Sequence, residues 1–321
     1  MVQRQIINSF LCFSVALFAA GEANAQDFPS APIEMVVPYS SGGTTDAMAR
    51  LVGKRVSEIL QVPVVVINKP GAGGAIGTSY ALSHSDGYRV FTAGNSNLGT
   101  LLAGKAKAPY TLDDVAGLAR AAMLPFMIVT KKGRFDSLAS LVKESHERPE
   151  ALTFSSWGAE SSGHFYGEIL AQATSSKFLH IPYDGAGKAV LAVAGGHVDF
   201  IAGAVPTVSE QIRSGVLTAL AYTGEERHPD FPDIPTVKEL GYAAATYSSF
   251  EGFATSAKTS SEHLQVLMRA FREAIADPEI QDSLRKLGLG AGYLDGIEYD
   301  RFLRRNLESL RQIAVKTGIK E

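Results

Sequence analysis

Val36-Val37-Pro38-Tyr39-Ser40-Ser41-Gly42-Gly43-Thr44-Thr45-Asp46-Ala47-Met48-Ala49-Arg50 decides how the rest of the chain reads. Residues 35–37 have the apolar, β-branched character of a buried strand end. Thr45 or Asp46 stands where a helix cap is expected, with the helix running to about Leu60. Two glycines and several hydroxyls lie between them. A glycine turn feeding a helix start gathers unpaired backbone N–H groups and the positive end of the helix dipole at one point, which suits an anion. The same residues serve an ordinary βα connection, which needs glycine and a cap residue in any case. The stretch therefore sets an α/β grammar and leaves a ligand open.

Strands over 33–37 and 62–67 bracket that helix, and Met48, Leu51, Val52, Val56 and Ile59 fall on one of its faces. A second glycine loop, 68–77, precedes a short helix over 74–83. Its Gly71, Gly73 and Gly77 come near a dinucleotide fingerprint, but the third glycine is displaced and no acidic residue ends the next strand. Tight helix–sheet packing accounts for these glycines, and no cofactor is expected. A strand over 89–93 runs into Gly94-Asn95-Ser96-Asn97. In a doubly wound sheet the loops after the first and third strands face one crevice.

A strand over 125–130 opens a second unit. Strands over 152–155, 179–181, 198–202 and 217–222 alternate with helices over 138–147, 164–173, 187–194 and 208–213, and polar loops follow the strands at 156–163, 182–186 and 203–207. A helix over 236–240, an extended segment over 246–255 and helices over 260–276, 278–287 and 297–318 complete the chain. A terminal helix block without its own sheet packs most simply on the first unit. The expected domains are therefore 26–124 together with 249–321, and 125–248 between them, with crossovers near 124–129 and 247–252.

Arg4, an apolar run over 6–20 and Ala23-Asn24-Ala25 form a cleavable export leader over 1–25. The single cysteine, Cys12, falls inside it, so the mature chain has no disulfide, thiol nucleophile or cysteine metal site. A cysteine-free exported protein suits a bacterial periplasm. A formal charge of −3 with interspersed signs argues against nucleic acid and against strong membrane attraction. The seven histidines lack ligand spacing, so no metal site is expected.

No G-x-S-x-G, phosphate-binding or H-E-x-x-H motif occurs. Ser161 or Ser162 beside His164 would give a serine hydrolase if an acidic partner oriented the ring, but a helix cap with a nearby imidazole explains the trio without chemistry. What recurs is strand ends followed by Gly, Ser, Thr and Asn at helix starts. That composition suits a cleft of amides and hydroxyls holding a small polar ligand, with Trp157, the sole tryptophan, as a lid or a core residue.

The order of motifs resembles the Bug-type substrate-binding receptors of the tripartite tricarboxylate transporter family. The matching stretches are Phe28-Pro29-Ser30-Ala31-Pro32-Ile33, the V-P-Y-x-x-G-G-x-T-D signature ending at Asp46, and V-V-I-N-K-P-G-A-G-G-A-I-G over 65–77. Asp86-Gly87-Tyr88, H-I-P-Y-D-G over 180–185, Gly195-Gly196-His197-Val198-Asp199 and Asp233-Ile234-Pro235-Thr236-Val237 follow in order. The resemblance implies an α/β, two-domain type II periplasmic-binding-protein (Venus flytrap) fold, with a cleft between two Rossmann-like domains. It implies a non-enzymatic, monomeric receptor that captures a small organic carboxylate for a membrane permease. A sensor without transport is a further alternative.

Carried over, the ligand-binding residues are Tyr39, Ser40, Gly43, Thr44, Thr45, Asp46 and Asn95 from the first domain. From the second come Ser156, Trp157, Ser161, Ser162, Tyr183, Gly185, Gly203 and Ala204. Departures fall at the same places. Ser40-Ser41 replace a proline pair, Trp157 and Glu160 replace small residues, Gly203-Ala204 replace a polar pair, and Glu251 replaces an apolar residue. If Glu160 and Glu251 face the cleft, they repel a dicarboxylate by roughly several kcal/mol. A monocarboxylate, amine-bearing or aromatic ligand is then expected rather than citrate; both glutamates facing solvent is the alternative.

Overall fold

The computed structural model describes residues 28–104 and 107–319. The expected leader, with Cys12, lies outside the described residues. No helix among the described residues is long and apolar enough to cross a membrane.

Three strands, the Val- and Ile-rich β1 (Ile33–Val37) and β2 (Val64–Asn68) and the fully buried β3 (Arg89–Gly94), pair in parallel in the order β2-β1-β3. The crossover helices are α1 (Thr44–Leu60) and α2 (Ala75–Leu82). Met48, Val52 and Val56, spaced four apart, turn one face of α1 onto the sheet and are fully buried. Gln61, in the left-handed region at φ 55°, ends that helix.

The next strand, β4 (Val115–Lys131), is a single 17-residue strand. The second unit follows: α3 (Leu138–Glu147), β5 (Thr153–Ser156), α4 (Ser162–Thr174), β6 (Leu179–Pro182), α5 (Ala186–Gly195), β7 (Phe200–Ala204), α6 (Val205–Arg213) and β8 (Leu217–Tyr222). The chain then returns through β9 (Ser248–Ser256), α7 (Ser261–Ala276), α8 (Pro278–Lys286), the short β10 (Leu294–Asp295) and α9 (Gly296–Lys316). One path runs β2-β1-β3-β9-β4-β7-β5-β6, with β8 and β10 also paired to β4.

β4 belongs to both halves. Residues 115–125 pair antiparallel with β9, and from Phe126 the strand pairs with β7 and β8 instead. Pro125 sits at this change of partners, where a residue lacking an N–H costs the ladder least. Thr223 pins the junction: its Oγ1 accepts from Phe126 N at 2.7 Å and donates to Tyr247 O at 2.8 Å. The terminal helices pack on the first half. Tyr299 Oη donates to Ala93 O at 2.6 Å, Asp300 Oδ1 accepts from Gly117 N at 2.8 Å, and Arg55 Nε meets Asp277 Oδ2 at 2.9 Å.

Three expectations need correction. The strand expected at 125–130 begins ten residues earlier, because Leu118, Ala119, Ala121 and Ala122 are buried between sheet neighbours and tertiary context overrides their helical preference. Residues 236–240 form turns rather than a helix: Thr236 N donates to Glu239 Oε2 at 2.7 Å, and Val237 N to Tyr222 O at 2.9 Å. Gly203 and Ala204 end strand β7 rather than forming a loop, paired with Met127 and Phe126.

The second glycine loop is a packing device. A Cβ on Gly77 would lie 2.6 Å from Lys69 O and 2.7 Å from Pro38 Cα, both backbone atoms unable to yield cheaply. Gly187, in the first turn of α5, has open space around it. Gly77→Ala is therefore expected to lower the unfolding free energy by about 1–3 kcal/mol in urea titration. Gly187→Ala is expected to leave it unchanged or raise it by up to about 1 kcal/mol; equal effects of the two would contradict this packing.

Candidate functional site

Four parallel strands, β1, β5, β6 and β7, each end at a helix start. α1 begins at Thr44, not at the expected Thr45 or Asp46, and its cap Gly43 (φ −84°, ψ 171°) provides no side-chain acceptor. The first ladder bond runs from Ala47 N to Gly43 O. Among the described residues no protein acceptor meets the N–H groups of Thr44, Thr45 and Asp46. α5 begins after Gly185 (φ 107°) and α6 after Ala204, again without side-chain caps. Of these four helices α4 alone has a side-chain cap, Ser161, whose Oγ accepts from His164 N at 3.3 Å. Uncapped amides at a helix start, with the helix dipole behind them, form an anion-binding end.

The side chains expected to line the site divide into two groups, beginning with those engaged within the protein. Asp46 is buried, and its carboxylate is full: Oδ2 accepts from Gly42 N at 3.0 Å and Arg50 Nε at 3.1 Å, Oδ1 from Arg50 Nη2 at 3.0 Å and Asn68 Nδ2 at 2.9 Å. Although burial opposes ionisation, the Arg50, Gly42 and Asn68 bonds together hold this carboxyl below its ordinary range. Asp46 thus ties down the loop, and only its backbone N–H is left to offer a ligand. Asn95 Nδ2 donates to the Tyr247 hydroxyl, and its Oδ1 accepts from Asn306 Nδ2 at 2.9 Å. Ser156 Oγ lies 2.7 Å from His180 Nε2 and donates to Gly158 O at 2.8 Å, and Ser161 Oγ also donates to Gly158 O, at 2.7 Å. Ser156 and Ser161 therefore have hydrogen-bond partners within the second half.

Of the second group, Ser162 and Trp157 meet Ser96 across the crevice. Ser162 Oγ lies 3.0 Å from Ser96 Oγ, and Ser162 N donates to the same oxygen at 3.4 Å. Trp157 Nε1 reaches Ser96 Oγ at 3.5 Å while its ring stands edge-on to Phe126 at 5.5 Å. Tyr39 donates to Asn97 Oδ1 at 3.3 Å, and Asn97 Oδ1 also accepts from Gly94 N at 2.9 Å. Tyr183 follows β6, its N–H on Ser156 O at 2.9 Å, and Gly185 has open space around it. Neither has a described contact with the first half; Ser40 and Gly43 are exposed.

Ser96, which meets Ser162 and Trp157, was not among the residues carried over. It lay inside the polar loop that the sequence marked out, but one residue beyond the position carried over. Glu251 was flagged, and the structure gives its direction. Its carboxyl is buried beside α1, Oε1 accepting from Thr45 Oγ1 at 3.1 Å, with Oε2 left without a partner. Burial raises it from the ordinary carboxylate range to about 7, against the lowering effect of the Thr45 bond. Glu160 lies at the rim, its side chain against Gly104 of the facing half.

His164 does not serve Ser161 or Ser162. Its Nδ1 accepts from Glu160 N at 3.0 Å, and its ring stacks on His180 at 3.8 Å between centroids, with the Phe154 ring beside both, 4.8 Å from His180 and 6.3 Å from His164. No group of three or more His, Cys, Asp or Glu among the described residues is arranged to hold a metal ion.

A two-lobed α/β receptor is the class that these parallel strand tips and facing helix starts define. The chain matches the family model for the tripartite tricarboxylate transporter family receptor over residues 48–319 and belongs to that family. Protein BugT of Bordetella pertussis is 34% identical over 273 residues, 84% of each chain. A solved periplasmic transporter superposes with a TM-score of 0.85 at 29% identity, over 91% of this chain and 99% of its own. A Rhodopseudomonas palustris protein solved with adipate shares the fold, with a TM-score of 0.85 at 24% identity over 91% and 99% of the two chains.

The stacked histidines predict an acid-side loss of stability. Burial pushes His164 down to about 4, and burial with the neighbouring His164 pushes His180 down to about 3. Between about pH 6.5 and 4 the unfolded chain therefore binds more protons than the folded one, so stability rises with pH and is lost as pH falls. Each unit of depression is worth about 1.4 kcal/mol. Proton NMR is expected to show neither ring titrating between pH 7.5 and 5. A midpoint near 6.5 in either would contradict the stack.

Proposed function

We propose that the chain is an exported solute receptor of the periplasm that captures a small, carboxylate-bearing organic molecule and delivers it to the membrane subunits of a tripartite tricarboxylate-type transporter. It acts as a monomer and leaves the ligand chemically unchanged. The observation that carries this reading is the row of amides at Thr44, Thr45 and Asp46 without a protein acceptor, at the carboxyl end of β1. A carboxylate there completes hydrogen bonds that the helix cannot make for itself and meets the positive end of its dipole. The uncapped start of α5 offers the same from the facing lobe, while at α6 Pro206 in the first turn leaves one amide fewer.

Family membership supports delivery to a permease, and the adipate held by the Rhodopseudomonas palustris neighbour supports the ligand class. The proposed moving bodies are residues 26–124 with 249–321, and 125–248. They bend where β4 changes partners at Pro125–Phe126 and where the chain returns at Tyr247–Ser248. Hinges at the ends of elements absorb such motions in two-domain closures. The His164 ring accepts from Glu160 N and has no described hydrogen bond to the hydroxyl of Ser161 or Ser162, which supports a receptor over a hydrolase.

Proline tests the amide directly. Thr44 is the first helical residue, where proline is tolerated, and Gly43 already has the extended backbone that proline imposes on its neighbour. Thr44→Pro deletes one N–H without breaking the helix. Titrations of small carboxylates followed by Trp157 emission should show affinity about tenfold weaker, for one charge-assisted hydrogen bond lost, at an unchanged melting temperature. A bound carboxylate whose affinity is unaffected would remove this amide from the site.

A further inference from the structure

Among the described residues, Glu251 is the acidic group with a buried oxygen that no hydrogen bond reaches. Its side chain is 8% exposed, and the Oε2 atom is buried without a hydrogen-bond partner. The carboxyl lies over Gly94, where an added Cβ would stand 2.8 Å from Oε2, and Thr45 Oγ1 fixes the other oxygen. Gly94 ends β3 and Thr45 lies in the first turn of α1, so the group sits where the order of the parallel strands turns back, the position at which such sheets bind ligands. The titratable groups facing it are Tyr39, from the loop after β1, and Tyr299, from α9, both with hydroxyls held neutral by burial. From β4 its register partner is Ala122. No described Lys, Arg or His pairs with it.

We infer that Glu251 is the subsite for a positively charged nitrogen of the ligand, so that this receptor selects an amine-bearing carboxylate, its ammonium on Glu251 Oε2 and its carboxylate on the uncapped helix amides. This rests on the proposed carboxylate receptor and adds the second half of its ligand. A buried carboxylate without a countercharge is costly, and a cation arriving with the solute supplies both the missing charge and the missing donor. An amine-free dicarboxylate placed there brings a second negative charge instead. Discrimination by a buried group that one ligand satisfies and its analogue leaves unpaired is steep.

Matched probes test this: 4-aminobutanoate against butanoate and succinate, L-glutamate against glutarate, and L-phenylalanine against 3-phenylpropanoate. Each is titrated by calorimetry into the mature protein at pH 6 and pH 8. The expected result is that an amine-bearing member binds at least tenfold tighter than its amine-free partners. Its affinity should rise from pH 6 to pH 8, as Glu251 ionises. Glu251→Gln should abolish the preference while still binding the amine-free carboxylate, and the pH arm on the unaltered protein decides the matter if that variant does not fold. An amine-free carboxylate that binds as tightly or tighter, and weakens as pH rises, means that Glu251 donates as a neutral acid; the inference then falls and the receptor reading stands. If no carboxylate of either kind binds, both fall together.

Discussion

The backbone amides of Thr44, Thr45 and Asp46 have no acceptor within the described protein, and much of the surrounding architecture keeps them that way. Helix starts ordinarily take a side-chain cap, and this chain uses one at α4, α7, α8 and α9. At α1 the cap is glycine, and Asp46 is drawn off by Arg50, Asn68 and Gly42. An acid free to fold back over its own helix start would compete with an anionic ligand for those amides. Holding Asp46 ionised and satisfied to one side removes that competition while fixing the glycine turn. The Asn68 that helps to do so comes from the second glycine loop, which gives that motif a supporting role.

The same economy governs the relation between the lobes. β4 and β9 lie side by side through the junction, so the two halves share a ladder rather than a flexible tether. Pro125 and Thr223 mark where that ladder changes partners. Across the crevice the described contacts include the polar pairs Ser96 with Ser162, Trp157 with Ser96 and Asn95 with Tyr247, and the apolar Phe165, which packs among core residues of the first half. A pair of hydroxyls 3 Å apart is a weak latch, worth about 1 kcal/mol, which suits the proposed hinge motion.

The parallel strands and their crossover helices were legible in the sequence because apolar spacing and turn residues agree locally. Residues 116–124 were not, since an alanine-rich run favours a helix until buried sheet neighbours decide otherwise. Within the site, the backbone donors were easier to read than the side chains. A glycine turn before a helix declares its free amides, whereas the internal bonds of Ser156 and Ser161 to His180, Gly158 and His164 appear only in the structure. Glu251 shows the limit most clearly. Strand alternation puts it opposite Phe250 and Gly252 in facing, but Phe253, two residues on, is also buried, so period alone assigns neither face to a cleft. Only the register with Gly94 and the proximity of Thr45 do.

The most direct measurement is a crystal structure of the mature protein with the carboxylate that stabilises it most. Amide capture predicts ligand carboxylate oxygens within about 3 Å of the N–H groups of Thr44 to Asp46, with the lobes closed over them. A ligand bound instead at the surface cavity lined by Ser79, Tyr110, Asp114 and Lys258, with the helix start left to water, would contradict it.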